Sequence, residues 1–180
     1  GYVDAIEELQ KSPNAITDED FLRALEDEDR PIGREIGRFE GHTGWVSSVN
    51  LSPNGRCLLS GSADGTVRLW ELKSGREILR FAGHTSQVRS ACFSLDGRYV
   101  LTGSWDNTAR LWDANNGQEV WRYETHSCRI ENAAFSPDGN VVMIDTDTTV
   151  LLDVQTGSEW RQFEGQNGRF SPDGCHVLTR

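Results

Sequence analysis

The chain has 180 residues, 36% hydrophobic and 26% charged, with a formal net charge of −10. That length supports one substantial core or two small ones, and the composition is ordinary for a globular protein. The acidic balance argues against a nonspecific nucleic-acid binder, which needs a basic face to neutralise phosphates. No apolar run approaches the roughly 18 residues of a membrane span, and no signal peptide is visible.

Taken in chain order, the first segment differs from everything after it. Residues 1–35 contain 11 acids and 4 bases, whereas residues 36–180 contain 17 acids and 14 bases. Residues 1–33 therefore read as an acidic leader or linker. Ile6 and Leu9 suit a short helix over Asp4–Gln10, stopped at Ser12-Pro13. Thr17 followed by Asp20 resembles a capping box, opening a second helix over Asp18–Glu28 with Phe21, Leu22 and Leu25 on one face. The run Glu26-Asp27-Glu28-Asp29 puts negative charge at the helix C-terminus, where the dipole disfavours it, and Pro31 and Gly33 complete the break. Two short helices and a partly ordered acidic linker both fit this composition. The chain begins at Gly1 without a Met, which reads as a fragment, a processed product or a tagged one.

From Arg34 onward the pattern changes to short β runs: Glu35–Phe39, Trp45–Leu51, Arg56–Ser62, Thr66–Leu72 and Glu77–Phe81. These runs then recur. His42, His84 and His126 are spaced by 42 residues, as are Phe39, Phe81 and Tyr123, and Trp70 repeats as Trp112. The turns Ser52-Pro53-Asn54-Gly55, Ser94-Leu95-Asp96-Gly97 and Ser136-Pro137-Asp138-Gly139 keep the same interval. Gly55, Gly97, Gly139 and Gly174 end turns at a position that often needs positive φ. A period of 40–45 residues marks a repeat architecture in which each unit buries its faces only against its neighbours. The units run approximately over 34–76, 77–118, 119–158 and a partial 159–180.

Gly41-His42 with Asp64 and Trp70-Glu71, then Gly83-His84 with Asp106 and Trp112-Asp113, carry a family resemblance. The chain resembles the WD-repeat β-propellers across residues 34–180. The fold class this implies is all-β: a partial propeller of about three and a half four-stranded blades behind a short helical leader. The resemblance also implies a buried hydrogen-bond relay in each blade. Its members would be His42, Ser60, Asp64 and Trp70 in the first unit, and His84, Thr102, Asp106 and Trp112 in the second. A buried Asp must be paired, an imidazole can bridge it to a hydroxyl, and the hydroxyl can take the indole N–H. Ser, His and Asp together also invite a hydrolase reading. Recurrence at the repeat period favours structure over catalysis, since one active site needs no copies. No Gly-x-Ser-x-Gly elbow, P-loop, dinucleotide fingerprint, kinase set or zincin motif occurs.

The later units depart from the pattern. The third has Thr125 in place of Gly and Ile144 where Ser60 and Thr102 stand. It also spans fewer residues between its turn glycines. One lost residue reads as the Trp, leaving Asp147 and His126 as the only relay members able to pair. That blade should rely on apolar packing. In the fourth, Gln166-Asn167-Gly168 stands where a Gly-His turn and an inner strand are due. Either the blade has decayed or residues are missing there. Closed propellers typically have four to eight blades. Further blades outside this sequence, a ring completed by two copies, or closure by the Arg34–Phe39 strand would each resolve the shortfall.

Cys57, Cys92, Cys128 and Cys175 show neither zinc-ligand spacing nor a disulfide framework, which suits free thiols of a cytoplasmic protein. No catalytic, cofactor-binding or metal-ligating residue is assigned, and the expected cofactor is none. The resemblance implies a non-catalytic scaffold that binds a peptide or domain on its loop-rich face. The residues mapping there are Trp45, Ser47, Gln87, Arg89, Trp105, Arg129 and Glu131. Trp105 is not needed for the relay, because Ala63 holds the equivalent place, and Trp and Arg are enriched at binding hot spots. Partners expected are a protein, a peptide or further domains of the same polypeptide, with no nucleic acid and no membrane. A homo-oligomer is possible if two copies complete a ring. The alternative is the sensing or regulatory arm of a larger multidomain signalling enzyme.

Overall fold

Runs such as Thr66-Val67-Arg68-Leu69-Trp70 make poor helices and good strands, because their β-branched and aromatic side chains fit a pleated surface. The computed structural model describes residues 37–125 and 128–180, and there they form fourteen strands and no helix. The leader helices expected at 4–10 and 18–28 lie outside the described residues, as does His126.

Three antiparallel sheets follow in chain order, each a four-stranded meander. The first holds β1 (Val46–Leu51), β2 (Cys57–Ser62), β3 (Thr66–Glu71) and β4 (Glu77–Ala82). The second holds β5 (Val88–Phe93), β6 (Tyr99–Ser104), β7 (Thr108–Asp113) and β8 (Glu119–Glu124). The third holds β9 (Asn132–Phe135), β10 (Val141–Asp145), β11 (Thr148–Asp153) and β12 (Glu159–Glu164). A two-stranded hairpin follows, β13 (Arg169–Phe170) with β14 (Val177–Leu178). Phe39–Arg180 form one unit.

The Ser-x-x-Gly turns set the register of the first hairpin in each sheet. Ser52 takes the Cys57 N–H on its hydroxyl at 2.9 Å, and its carbonyl accepts from Gly55 at 2.8 Å. Ser94, Ser136 and Ser171 repeat both bonds. Gly55, Gly97, Gly139 and Gly174 all sit near φ +70°, which a side chain would strain.

Neighbouring sheets are joined along their first strands. Ser48 Oγ accepts the Ala91 N–H at 3.1 Å, and Ser90 Oγ donates to the Ala133 carbonyl at 3.0 Å. Close approach demands glycine on the second strand of each preceding sheet. A Cβ on Gly61 would lie 3.0 Å from Val88, and one on Gly103 would lie 2.6 Å from Ile130. The core between the second and third sheets is correspondingly dense, with Leu101, Leu111, Ile130, Ile144 and Leu152 fully buried.

Two expectations need correction. Gly37–Phe39 form no strand, although one was expected over Glu35–Phe39. An outer strand needs a third strand to pair with, as β4 pairs with β3, and the described residues hold none before β1. Nor is the third Trp deleted. Val142 pairs with Leu152 as Leu58 pairs with Trp70 and Val100 with Trp112, so Leu152 stands in the Trp register. The shortening falls in the hairpin, where Thr146-Asp147 joins β10 to β11 and Ala63–Gly65 joins β2 to β3. A connecting loop sheds a residue at little cost, whereas a strand that did so would turn its inward side chains outward.

Candidate functional site: buried relays and a loop-face cluster

In the first sheet the loop before β1 is tied to β2 and β3 by one continuous chain of bonds. Trp70 Nε1 donates to Ser60 Oγ at 2.7 Å, Ser60 Oγ lies 2.8 Å from His42 Nε2, and His42 Nδ1 lies 2.9 Å from Asp64 Oδ2. The second sheet repeats it: Trp112 to Thr102 at 2.9 Å, Thr102 to His84 at 2.7 Å, His84 to Asp106 at 2.9 Å. Direction follows from the indole, which only donates. The hydroxyl accepts it and donates to Nε2, leaving Nδ1–H for the carboxylate.

Each Asp is further held by backbone N–H groups, from Thr43 and Thr66 to Asp64 and from Thr85 and Thr108 to Asp106. Burial by itself raises both carboxyls. Hydrogen bonds from the His, the Thr66 or Thr108 hydroxyl and the backbone outweigh it, and both lie well below the usual carboxylate range.

The order Ser60–His42–Asp64 is that of a hydrolytic triad, but the nucleophile position is closed. Ser60 is 4% exposed, and its oxygen already receives the indole N–H. A carbonyl substrate has no approach to it.

Beside each relay lies an ion pair that sequence reasoning missed. Arg68 is buried over Trp70, 5.8 Å from the ring centre, and donates to Glu77 at 2.7 Å. Arg110 does the same over Trp112 with Glu119, also at 2.7 Å. Both pairs obey the 42-residue interval, which was the available signal. They also account for the glycine of Gly-His, since a Cβ on Gly41 or Gly83 would run into the Arg68 or Arg110 guanidinium. In the third unit Val150 replaces that Arg, and Thr125 replaces that Gly.

The third sheet has no indole relay. Ile144 pairs with Val150 where Ser60 pairs with Arg68, and Asp147 accepts from the Cys128 thiol at 2.9 Å. A different carboxylate is buried instead. Asp145 accepts from Thr149 Oγ1 at 3.0 Å, from Asn132 Nδ2 at 3.2 Å and from the Gly168 N–H at 2.9 Å. It occupies the place of Gly61 and Gly103, and Gly168 occupies that of Ala91 and Ala133.

Of the loop-face residues, the structure brings four together. Two guanidiniums lie over the Trp105 ring, that of Arg89 5.3 Å from its centre and that of Arg129 4.7 Å away. Glu131 accepts from Trp105 Nε1 at 3.1 Å and from Arg89 Nε at 3.3 Å. Trp105 is thus half-buried and engaged. Trp45 is separate and 69% exposed. The Ser47 hydroxyl turns to the carbonyls of Gly61 and Val88, and Gln87 is buried with its carbonyl accepting the Trp105 N–H.

Four-stranded meanders with a Trp–Ser/Thr–His–Asp relay define a repeat class, and the sequence comparison agrees. The WD domain, G-beta repeat model matches residues 33–71 and 75–113. Those two stretches of the chain are WD repeats. Among its relatives is eukaryotic translation initiation factor 3 subunit I of Aspergillus niger, 49% identical over 42 residues, which are 23% of this chain and 12% of that protein. The Neurospora crassa subunit I is 43% identical over the same shares. Nuclear distribution protein PAC1 of Candida tropicalis is 43% identical over 37 residues, 21% of this chain and 8% of its own length. The matched stretch is therefore about one repeat of a much longer relative.

Among the described residues no helix is long and apolar enough to cross a membrane, and no group of three or more His, Cys, Asp or Glu could hold a metal ion.

Proposed function

We propose that this chain is a non-catalytic, cytoplasmic interaction scaffold whose loop face at the second and third blades docks a peptide or folded domain. The observation that carries the reading is the Arg89–Trp105–Arg129–Glu131 cluster. It gathers Trp and Arg from two blades at a place the relay does not require, and the repeat-equivalent of Trp105 is Ala63. The relays support a structural use of the Ser, His and Asp residues, because their hydroxyls are buried and already bonded. Relatives named as a subunit of an initiation factor and as a nuclear distribution protein suit a chain that works by contact with other proteins.

A second reading, the regulatory arm of a larger multidomain protein, draws on the small share of the relatives that the match covers. An intact mass well above 20.1 kDa for the native protein supports it.

The docking reading is tested by recovering the partner from the native source with wild type, Trp105→Ala, Arg89→Ala and the outer-strand control Arg80→Ala. Loss with the first two variants at unchanged melting temperature is expected. Equal recovery with all four moves the docking site elsewhere.

A further inference from the structure

The loop-face cluster is rich in donors and poor in acceptors. Trp105 has two guanidiniums over its ring, and Glu131 is the only acid bonded within the cluster among the described residues. Glu131 is already engaged twice, by Arg89 Nε and the Trp105 indole. Arg129 lies over the indole with its guanidinium carbon 4.7 Å from the ring centre, and it makes no hydrogen bond among the described residues. Its guanidinium N–H groups therefore have no acceptor among the described residues, on a side chain that rests against the indole. Gln87, bonded to Trp105 through the backbone, buries Nε2 with no acceptor. Nearby carboxylates do not relieve the excess: Asp106 is turned into its relay, and Asp147 receives the Cys128 thiol.

Other occupants fit less well. A cationic ligand would meet two guanidiniums and one engaged carboxylate, and an apolar side chain would meet a ring that already has both guanidiniums against it. A carboxylate meets a guanidinium with no acceptor among the described residues, a fork able to give paired, directional hydrogen bonds.

We propose that the loop face recognises an acidic peptide, one carboxylate of which pairs with the edge of Arg129 above Trp105. This rests on the docking reading and names the partner's chemistry. Residues 37–180 carry 17 acids and 14 bases, so attraction is local to the cluster and falls with salt.

The test is fluorescence anisotropy of the full chain with a labelled hexaglutamate peptide and a hexaglutamine peptide of the same length. Binding of the Glu peptide alone, weakened by salt, is expected. Arg129→Ala should weaken it roughly tenfold and Arg129→Lys partly, since an ammonium lacks the planar fork, with melting temperature and Arg80→Ala unchanged. Equal binding of both peptides, or an unaltered affinity in Arg129→Ala, overturns the proposal. Partner recovery separates the two levels. A native partner lost with Trp105→Ala but kept with Arg129→Ala overturns the acidic peptide and leaves the docking face, whereas one kept with both variants overturns the face itself.

Discussion

Asp64 and Asp106 are buried carboxylates whose cost is met by an imidazole, a threonine hydroxyl and two backbone N–H groups each. Removing the acceptor strands several donors at once, so Asp106→Ala should lower stability by about 1–3 kcal/mol or more in urea melts. Asp147→Ala should cost less, because that carboxylate is exposed and, among the described residues, it accepts from a thiol, a weak donor. The sign with pH follows from the depressed carboxyl. Its folded pKa lies below the unfolded value near 3.9, so its contribution is present above about pH 4 and is lost as pH falls further. The stability gap between wild type and Asp106→Asn should therefore narrow on acidification below about pH 4. A gap constant from pH 7 to 3 would contradict the bonding described for this carboxylate.

At the element scale, each sheet meets the next through a small-residue pair on facing strands. Gly61 faces Ala91 and Gly103 faces Ala133, with a Cβ on either glycine lying 3.4 or 3.3 Å from the alanine. Asp145 and Gly168 reverse the sizes, so the carboxylate fills the room the missing methyl leaves and bonds the Gly168 N–H. A Cβ on Gly168 would sit 2.7 Å from Met143 Sδ and 2.8 Å from Asp145 Oδ1. Gly168→Ala should cost about 1–3 kcal/mol by overpacking. Combining it with Asp145→Gly recreates the pair used at the other junctions. The double variant should be more stable than the two single losses add up to, a coupling of about 0.5–3 kcal/mol. Strict additivity in urea melts would mean that the two positions do not share the contact.

For the molecule as a whole, the same repeat position has a different fate in successive blades. Val88, Ala91 and Phe93 on β5 are buried against the first sheet, whereas Val46, Val49 and Leu51 on β1 are about half exposed. Val49→Lys should then change stability by no more than about 0.5 kcal/mol, and Ala91→Lys, which buries a charge, by several. The exposed β1 face also invites association, so light scattering should show less concentration-dependent self-association in Val49→Lys than in wild type. Unchanged scattering would mean that this face plays no part in any self-contact.

Much of this was legible without coordinates, for reasons that lie in the repeat itself. Ser-x-x-Gly turns act through bonds spanning five residues, and the His, Ser or Thr, Asp and Trp positions recur at one interval, so the relay members could be named in advance. The Arg68–Glu77 and Arg110–Glu119 pairs obeyed that interval too and were available to the same reasoning. Composition and spacing could not supply what depends on a neighbouring sheet. Arg89 and Glu131 are 42 residues apart and bond only because β5 and β9 lie side by side. Leu152 takes the Trp register only when β10 fixes its partner, and Asp145 finds Gly168 only across the next junction. Turn chemistry and periodicity are carried by the local chain, whereas burial, stacking and ion pairing between blades are fixed by which sheet packs against which, and that is a property of the folded molecule alone.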